Sequence, residues 1–186
     1  MHSELANFIN SKVSGAGAVF EEREVGDHVI FVDPAHIFDV SKTLRDEKDF
    51  KVLQVITGTD YLDDKTIEVS YILATFDPQN SEDDLILKVK LDRENPELDS
   101  VVDVWKSADY QERECYDMLG VNFRNHPNLI RILCCYDWEG FPLRKDYEAA
   151  KEYKGMTIYP ESKNNSADQE FKKLSKADPG IERPRW

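Results

Sequence analysis

Between residues 51 and 91, three runs, "KVLQVITGTDY", "IEVSYILATF" and "LILKVKL", are separated by the polar loops "LDDKT" and "DPQNSEDD". In the third run Leu85, Leu87, Val89 and Leu91 share one face while Lys88 and Lys90 take the other, the alternation of a sheet with one wet side. Upstream, "AVFEEREVGDHVIFVD" reads as two more strands about a Gly26-Asp27 turn. The expected fold is α+β, not doubly wound: a mixed or antiparallel sheet with flanking helices, followed by a docking segment and an extended C-terminal tail.

The helices carry their own marks. Leu5, Phe8, Ile9 and Val13 recur at helical spacing until Gly15 and Gly17 break the pattern. Asp33 stands as an N-cap with Pro34 at the first helical position, ahead of a stripe of Ile37, Val40 and Leu44. In "SADYQERECYDMLG" Asp109 and Glu112 have capping-box spacing and Gly120 the place of a C-terminal stop, which predicts a helix over about 109–119. We therefore expect an acidic α+β domain over 1–104, a helix and docking segment over 105–147, and a tail over 148–186. The tail is poor in branched apolar residues, so it should be extended or disordered alone, with Phe171, Leu174 and Trp186 as anchors on a partner.

Charge narrows the function. Residues 1–104 hold 23 acidic and 10 basic side chains and so carry the whole formal charge of −13; residues 105–147 hold 7 and 6, and residues 148–186 hold 7 and 8. The acidic body repels phosphate backbones and anionic lipid, which argues against nucleic acid and direct membrane-surface contact. A near-neutral segment dense in both signs and in aromatics suits contact with protein. No apolar run approaches the roughly 20 residues a membrane span requires, and "MHSELANFIN" lacks the features of a signal peptide, so the cytoplasm is expected. The three cysteines, Cys115, Cys134 and Cys135, form no CxxC pair and are read as small hydrophobes without metal.

Catalytic readings have little to stand on. Glu112 and Glu114, at i and i+2 on a helix, point to different sides and cannot share a proton. Arg113 and Asp117, at i and i+4, can reach each other, which suggests an ion-pair face that also holds Glu114. His126 precedes a proline and stands in no recognisable triad order, so it reads as part of a rigid turn. Trp138, Phe141 and Pro142 around Gly140 make a compact apolar turn holding "LRKDY" in one conformation. There Arg144, Lys145 and Asp146 cannot all point the same way, so at least one should face a neighbour.

Taken together, "ERECYDMLGVNF", "HPNLIRIL" and "WEGFPLRKDY", in this order and nearly contiguous, resemble the hallmark of the C subunit of bacterial respiratory complex I. The resemblance runs through about residues 36–147 and includes the strand pair "DFKVLQVITGTDY" and "IEVSYIL". This chain departs from the family in having Asn125 where a glycine usually precedes His-Pro, Ile130 where a basic residue is usual, and "EAAKEYKG" after "RKDY".

The resemblance implies a non-catalytic subunit of the peripheral arm of proton-translocating NADH:quinone oxidoreductase, on the cytoplasmic side of the bacterial inner membrane. It further implies docking beside the quinone-pocket subunit, known as the D subunit, and its neighbours. FMN, iron–sulfur clusters, NADH and quinone would be handled by other subunits. The implied contact residues are Arg113, Glu114, Asp117, His126, Arg131, Trp138, Arg144, Lys145 and Asp146. Alternatives are a related subunit of a membrane-bound nickel–iron hydrogenase or other quinone- or cofactor-linked dehydrogenase, a free-standing acidic binding module, and a small hydrolase using Cys135 or His126.

Overall fold

A computed structural model describes residues 2–22, 29–75, 84–148 and 152–157. The expected Gly26-Asp27 turn, most of the "DPQNSEDD" loop and the tail anchors Phe171, Leu174 and Trp186 lie outside the described residues. The chain forms two compact units, Met1–Tyr147 and Glu148–Trp186.

In the first unit the order is α1 (His2–Lys12), β1 (Val19–Glu21), β2 (Val29–Phe31), a 3-10 turn (Pro34–His36), α2 (Ile37–Lys48), β3 (Val52–Tyr61), β4 (Thr66–Ala74), β5 (Leu85–Asp92), β6 (Glu97–Asp99), α3 (Ala108–Leu119) and β7 (Asn122–Arg124). The second unit contains a hairpin of β8 (Glu152–Tyr153) and β9 (Met156–Thr157), a short piece of regular structure that the tail's composition does not announce.

Five strands form a mixed sheet in the order β1-β2-β5-β4-β3. The three expected strands pair as antiparallel neighbours, and β2 joins β5 in parallel. Registers Leu53↔Leu73, Ile56↔Tyr71 and Gly58↔Val69, with Tyr71↔Leu87 and Val69↔Val89, place one row of each strand on a common face. That row is buried. On the opposite face Glu68 receives Lys88 at 3.2 Å and Lys90 at 3.5 Å, so the lysines that alternate with the core residues neutralise a carboxylate there.

The helices complete the core. Ile9 of α1 and Ile37, Val40 and Leu44 of α2 are fully buried, and each such side chain contributes about 1.5–3 kcal/mol of burial. Phe8, by contrast, lies half-buried with the Lys48 ammonium 4.3 Å from its ring centroid. Asp33 accepts from the Ala35 amide at 2.8 Å ahead of Pro34, as its N-cap position predicts.

The capping box on α3 does not form. The helix starts at Ala108 after Ser107, and Glu112 turns inward to accept from Ser100 Oγ at 2.6 Å and the Val101 amide at 2.7 Å. A buried amide and hydroxyl left without an acceptor cost more than a surface cap returns, so the interior takes the side chain. The stop is as expected: Gly120 has φ +79° and its N–H donates to Tyr116 O. β6 and β7 flank α3 and pair in parallel, tying its two ends together.

Candidate docking site

α3 lies along the free edge of β3 and bonds to it through one stripe. Ser107 Oγ donates to Leu53 O at 3.3 Å, Gln111 Oε1 accepts from the Ile56 amide, and Gln111 Nε2 donates to Gln54 O at 3.5 Å. Further along, Leu119 packs so closely on Gly58 that a Cβ there would overlap its side chain.

From this helix the segment 125–147 is strapped down at successive points. Asn125 has φ +63°, the left-handed conformation that asparagine tolerates. It turns the chain so that the His126 side chain is fully buried. Nδ1 accepts from the Asn128 amide at 3.0 Å, so the ring proton sits on Nε2, 3.2 Å from Asp109 O. Both nitrogens face the chain's own backbone, an arrangement for holding a turn and not for attacking a substrate. Glu112 Oε2 is 3.9 Å from Nε2, and that carboxylate too is fully buried.

Asp117 corrects the expected pairing with Arg113. Its Oδ2 accepts from the amides of Ile132, Leu133 and Cys134 at 2.9, 2.6 and 2.9 Å, and Oδ1 takes Arg131 Nη1 at 3.2 Å. Three backbone amides converging on one carboxylate oxygen outcompete one i,i+4 ion pair, which is worth only a few tenths of a kcal/mol. Burial pushes the Asp117 pKa up, and these amides more than offset it, leaving the carboxyl below its usual range. Arg113 instead donates to Ile130 O at 3.2 Å and packs 5.2 Å from the Tyr110 ring centroid.

The stretch "LRKDY" closes the C-terminal end of α3. The Leu143 amide donates to Met118 O at 3.0 Å and Arg144 Nε to Leu119 O at 2.7 Å, so two carbonyls at the helix end find donors, one of them cationic. The guanidinium groups of Arg131 and Arg144 both pack on the Phe141 ring, with centroid distances of 5.2 and 4.9 Å. That ring explains Gly120 a second time, because a Cβ there would collide with it. Arg131 Nη2 donates to Gly140 O at 2.9 Å, and Trp138 Nε1 to the Tyr147 hydroxyl at 3.0 Å. The Lys145 amide donates to Asp60 Oδ2 at 2.8 Å, and Asp146 turns back onto Arg93.

The structure thus brings Arg113, Asp117, His126 and Arg131 together about one loop and Arg144, Lys145 and Asp146 about another. Glu114 joins neither. It is exposed and lines a shallow groove with Ile56, Thr57, Gly58, Met118 and Leu143. Sequence reasoning missed Asp60 and Arg93, which lie outside the hallmark blocks. It also missed an apolar rim of Tyr110, Ile130, Leu133, Tyr136 and Leu143, all more than half exposed, with Tyr136 at 89%.

All three cysteines are free, and burial pushes the Cys115 thiol up to about 12. Among the described residues no cluster of three or more His, Cys, Asp or Glu side chains could hold a metal ion, and no helix is long and apolar enough to cross a membrane.

The chain is 41% identical over 136 residues to the NADH-quinone oxidoreductase C subunit of Roseiflexus sp. (strain RS-1), covering 72% of this chain and 76% of that protein. It is 42% identical over 123 residues to the corresponding C subunit of Citrifermentans bemidjiense, covering 66% and 74%. Among solved structures, the trypsin-resistant fragment (1-134) of Nqo5 superposes with a TM-score of 0.56 at 25% identity, over 69% of this chain and 98% of the fragment. Residues 30–153 match the model of the respiratory-chain NADH dehydrogenase 30 Kd subunit, and the chain belongs to that family, the C-subunit group of NADH-quinone oxidoreductases.

Proposed function

We propose that this chain is a non-catalytic assembly subunit of the peripheral arm of a proton-translocating NADH:quinone oxidoreductase, bound beside the quinone-pocket D subunit on the cytoplasmic side of a bacterial inner membrane. Flavin, iron–sulfur clusters, NADH and quinone belong, on this reading, to its partners. One observation carries it: the hallmark's charged residues are largely consumed inside the chain, while five large apolar side chains face outward around them. Asp117, His126 and Arg131 spend their hydrogen bonds on backbone and on each other. The product is a rigid surface, and Tyr110, Ile130, Leu133, Tyr136 and Leu143 on it have the aromatic and aliphatic character of an interface core.

The test is affinity purification of the tagged chain from gently solubilised membranes, with identification of the co-purifying chains. Recovery of the quinone-pocket and NADH-binding subunits is expected. Recovery of nickel–iron hydrogenase subunits would move the chain to that host complex, and recovery of no redox protein would overturn the proposal. Membranes lacking the chain should lose coupled NADH:quinone electron transfer yet still reduce artificial acceptors.

A further inference from the structure

We propose that Arg144 and Lys145 together receive a carboxylate side chain of the neighbouring subunit, an assignment that rests on the docking role proposed above. Arg144 is held in place by Nε on Leu119 O at 2.7 Å and by stacking 4.9 Å from the Phe141 centroid. Its two Nη atoms have no acceptor, and it has no ion-pair partner, among the described residues. A guanidinium so fixed presents a planar fork that fits a carboxylate in two-point contact, with its conformational freedom already spent.

The nearest acids are committed elsewhere. Asp60 takes both Arg93 Nε at 2.7 Å and Arg93 Nη2 at 3.1 Å, and also the Lys145 amide at 2.8 Å. Asp146 is bound to the same Arg93. Both carboxylates therefore bond Arg93, and Arg144 beside them has no carboxylate of its own among the described residues, in a chain whose formal charge is −13. Burial and the nearby Arg93 draw the Arg144 pKa down, against the weaker attraction of Asp60 and Asp146.

Lys145 is pinned by its amide while its side chain is exposed. Leu143, beside the pair, is 59% exposed and opens onto the groove with Met118. A partner seated on that apolar surface would exclude water from the ion pair and strengthen it. Among the nine hallmark side chains, then, Arg144 and Lys145 supply the outward positive charge and Glu114 an outward negative one, while Asp117, His126 and Arg131 act as internal struts and the half-exposed Asp146 holds Arg93.

The experiment uses the assembled complex. Zero-length carbodiimide coupling joins a lysine amine to a carboxylate in contact with it, and peptide mass spectrometry reads the junction. We expect Lys145 linked to an Asp or Glu of one neighbouring subunit, with the link absent in Lys145→Gln. Lys145→Glu should lower retention of the chain in the complex by about tenfold while leaving the melting temperature of the isolated chain unchanged, because the lysine side chain has no partner among the described residues. Arg144→Gln should lower retention further, with Arg144→Lys only partly restoring it.

If the chain co-purifies with redox proteins, yet Lys145→Glu is retained at wild-type level and Lys145 couples to no neighbour, the carboxylate receptor is wrong and the docking role stands. Retention that depends on phospholipid, with Lys145 uncoupled, would assign the pair to a lipid headgroup and equally overturn it. If no redox protein is recovered with the chain, the docking role itself falls, and this inference with it.

Discussion

Arg93 and Asp60 form a two-point ion pair, Nε to Oδ1 at 2.7 Å and Nη2 to Oδ2 at 3.1 Å, with the Asp60 side chain fully enclosed. The pair links β3 to the turn after β5, and through the Lys145 amide it holds the end of the docking segment. Arg93→Leu leaves a buried carboxylate with one amide donor, and we expect a loss of about 3 kcal/mol in urea denaturation at neutral pH. The Arg93 hydrogen bonds hold the Asp60 pKa below its ordinary value despite burial. The contribution of a depressed acid is present above the unfolded value and vanishes as pH falls through the folded one. The gap between wild type and variant should therefore narrow below about pH 4.

Glu112 titrates in the other direction. Burial raises its pKa from 4.5 to about 7, against the opposing hydrogen bonds from Ser100 and Val101. The fold favours the protonated acid, so its stabilising effect is full below the unfolded value and declines as pH rises through the folded one. Wild type should lose about 3 kcal/mol between pH 4.5 and 7 from this group. Glu112→Gln, which can still meet both partners, should flatten that part of a plot of melting temperature against pH.

Asp117→Asn keeps the shape of the side chain but removes the charge that gathers three amides. We expect hydrogen exchange at Ile132, Leu133 and Cys134 to accelerate by roughly 10–100-fold, equivalent to about 1.4–2.7 kcal/mol of local opening. Exchange in β4 should be unchanged. Equal acceleration throughout the sheet would show that the loop is not a separate unit.

Gly120→Ala introduces a Cβ at φ +79° that meets the Phe141 ring. Left-handed strain costs about 1–2 kcal/mol for an alanine, and the clash adds to it. In the Gly120→Ala/Phe141→Ala double variant the clash disappears, so the combined loss should be smaller than the sum of the two single losses. A double-mutant cycle with thermal unfolding measures the difference.

How much of this could be read in advance depended on sequence separation. The alternation at Leu85, Leu87, Val89 and Leu91 sits within one strand, and Asp33 caps its own turn, so both were visible. β6 and β7 have three residues each and are too short to display a period of two. Glu112 was misread because its local spacing satisfied a capping rule, while its real partners, Ser100 and Val101, lie 12 and 11 positions upstream. For Asp117 the partners are 14–17 positions downstream. The hallmark residues could be picked out as a group, but whether each faces inward or outward is set by tertiary contacts that no window of sequence contains.

The stripe of Ser107 and Gln111 along β3 bears on what happens to this chain before it finds a partner. An unpaired strand edge is a template for aggregation, and here the same helix that closes the edge also anchors the docking segment at its far end. A newly made chain with α3 unseated would display both a bare edge and a slack docking surface, so molecules unfit for assembly would be the ones prone to self-association and to proteolytic removal.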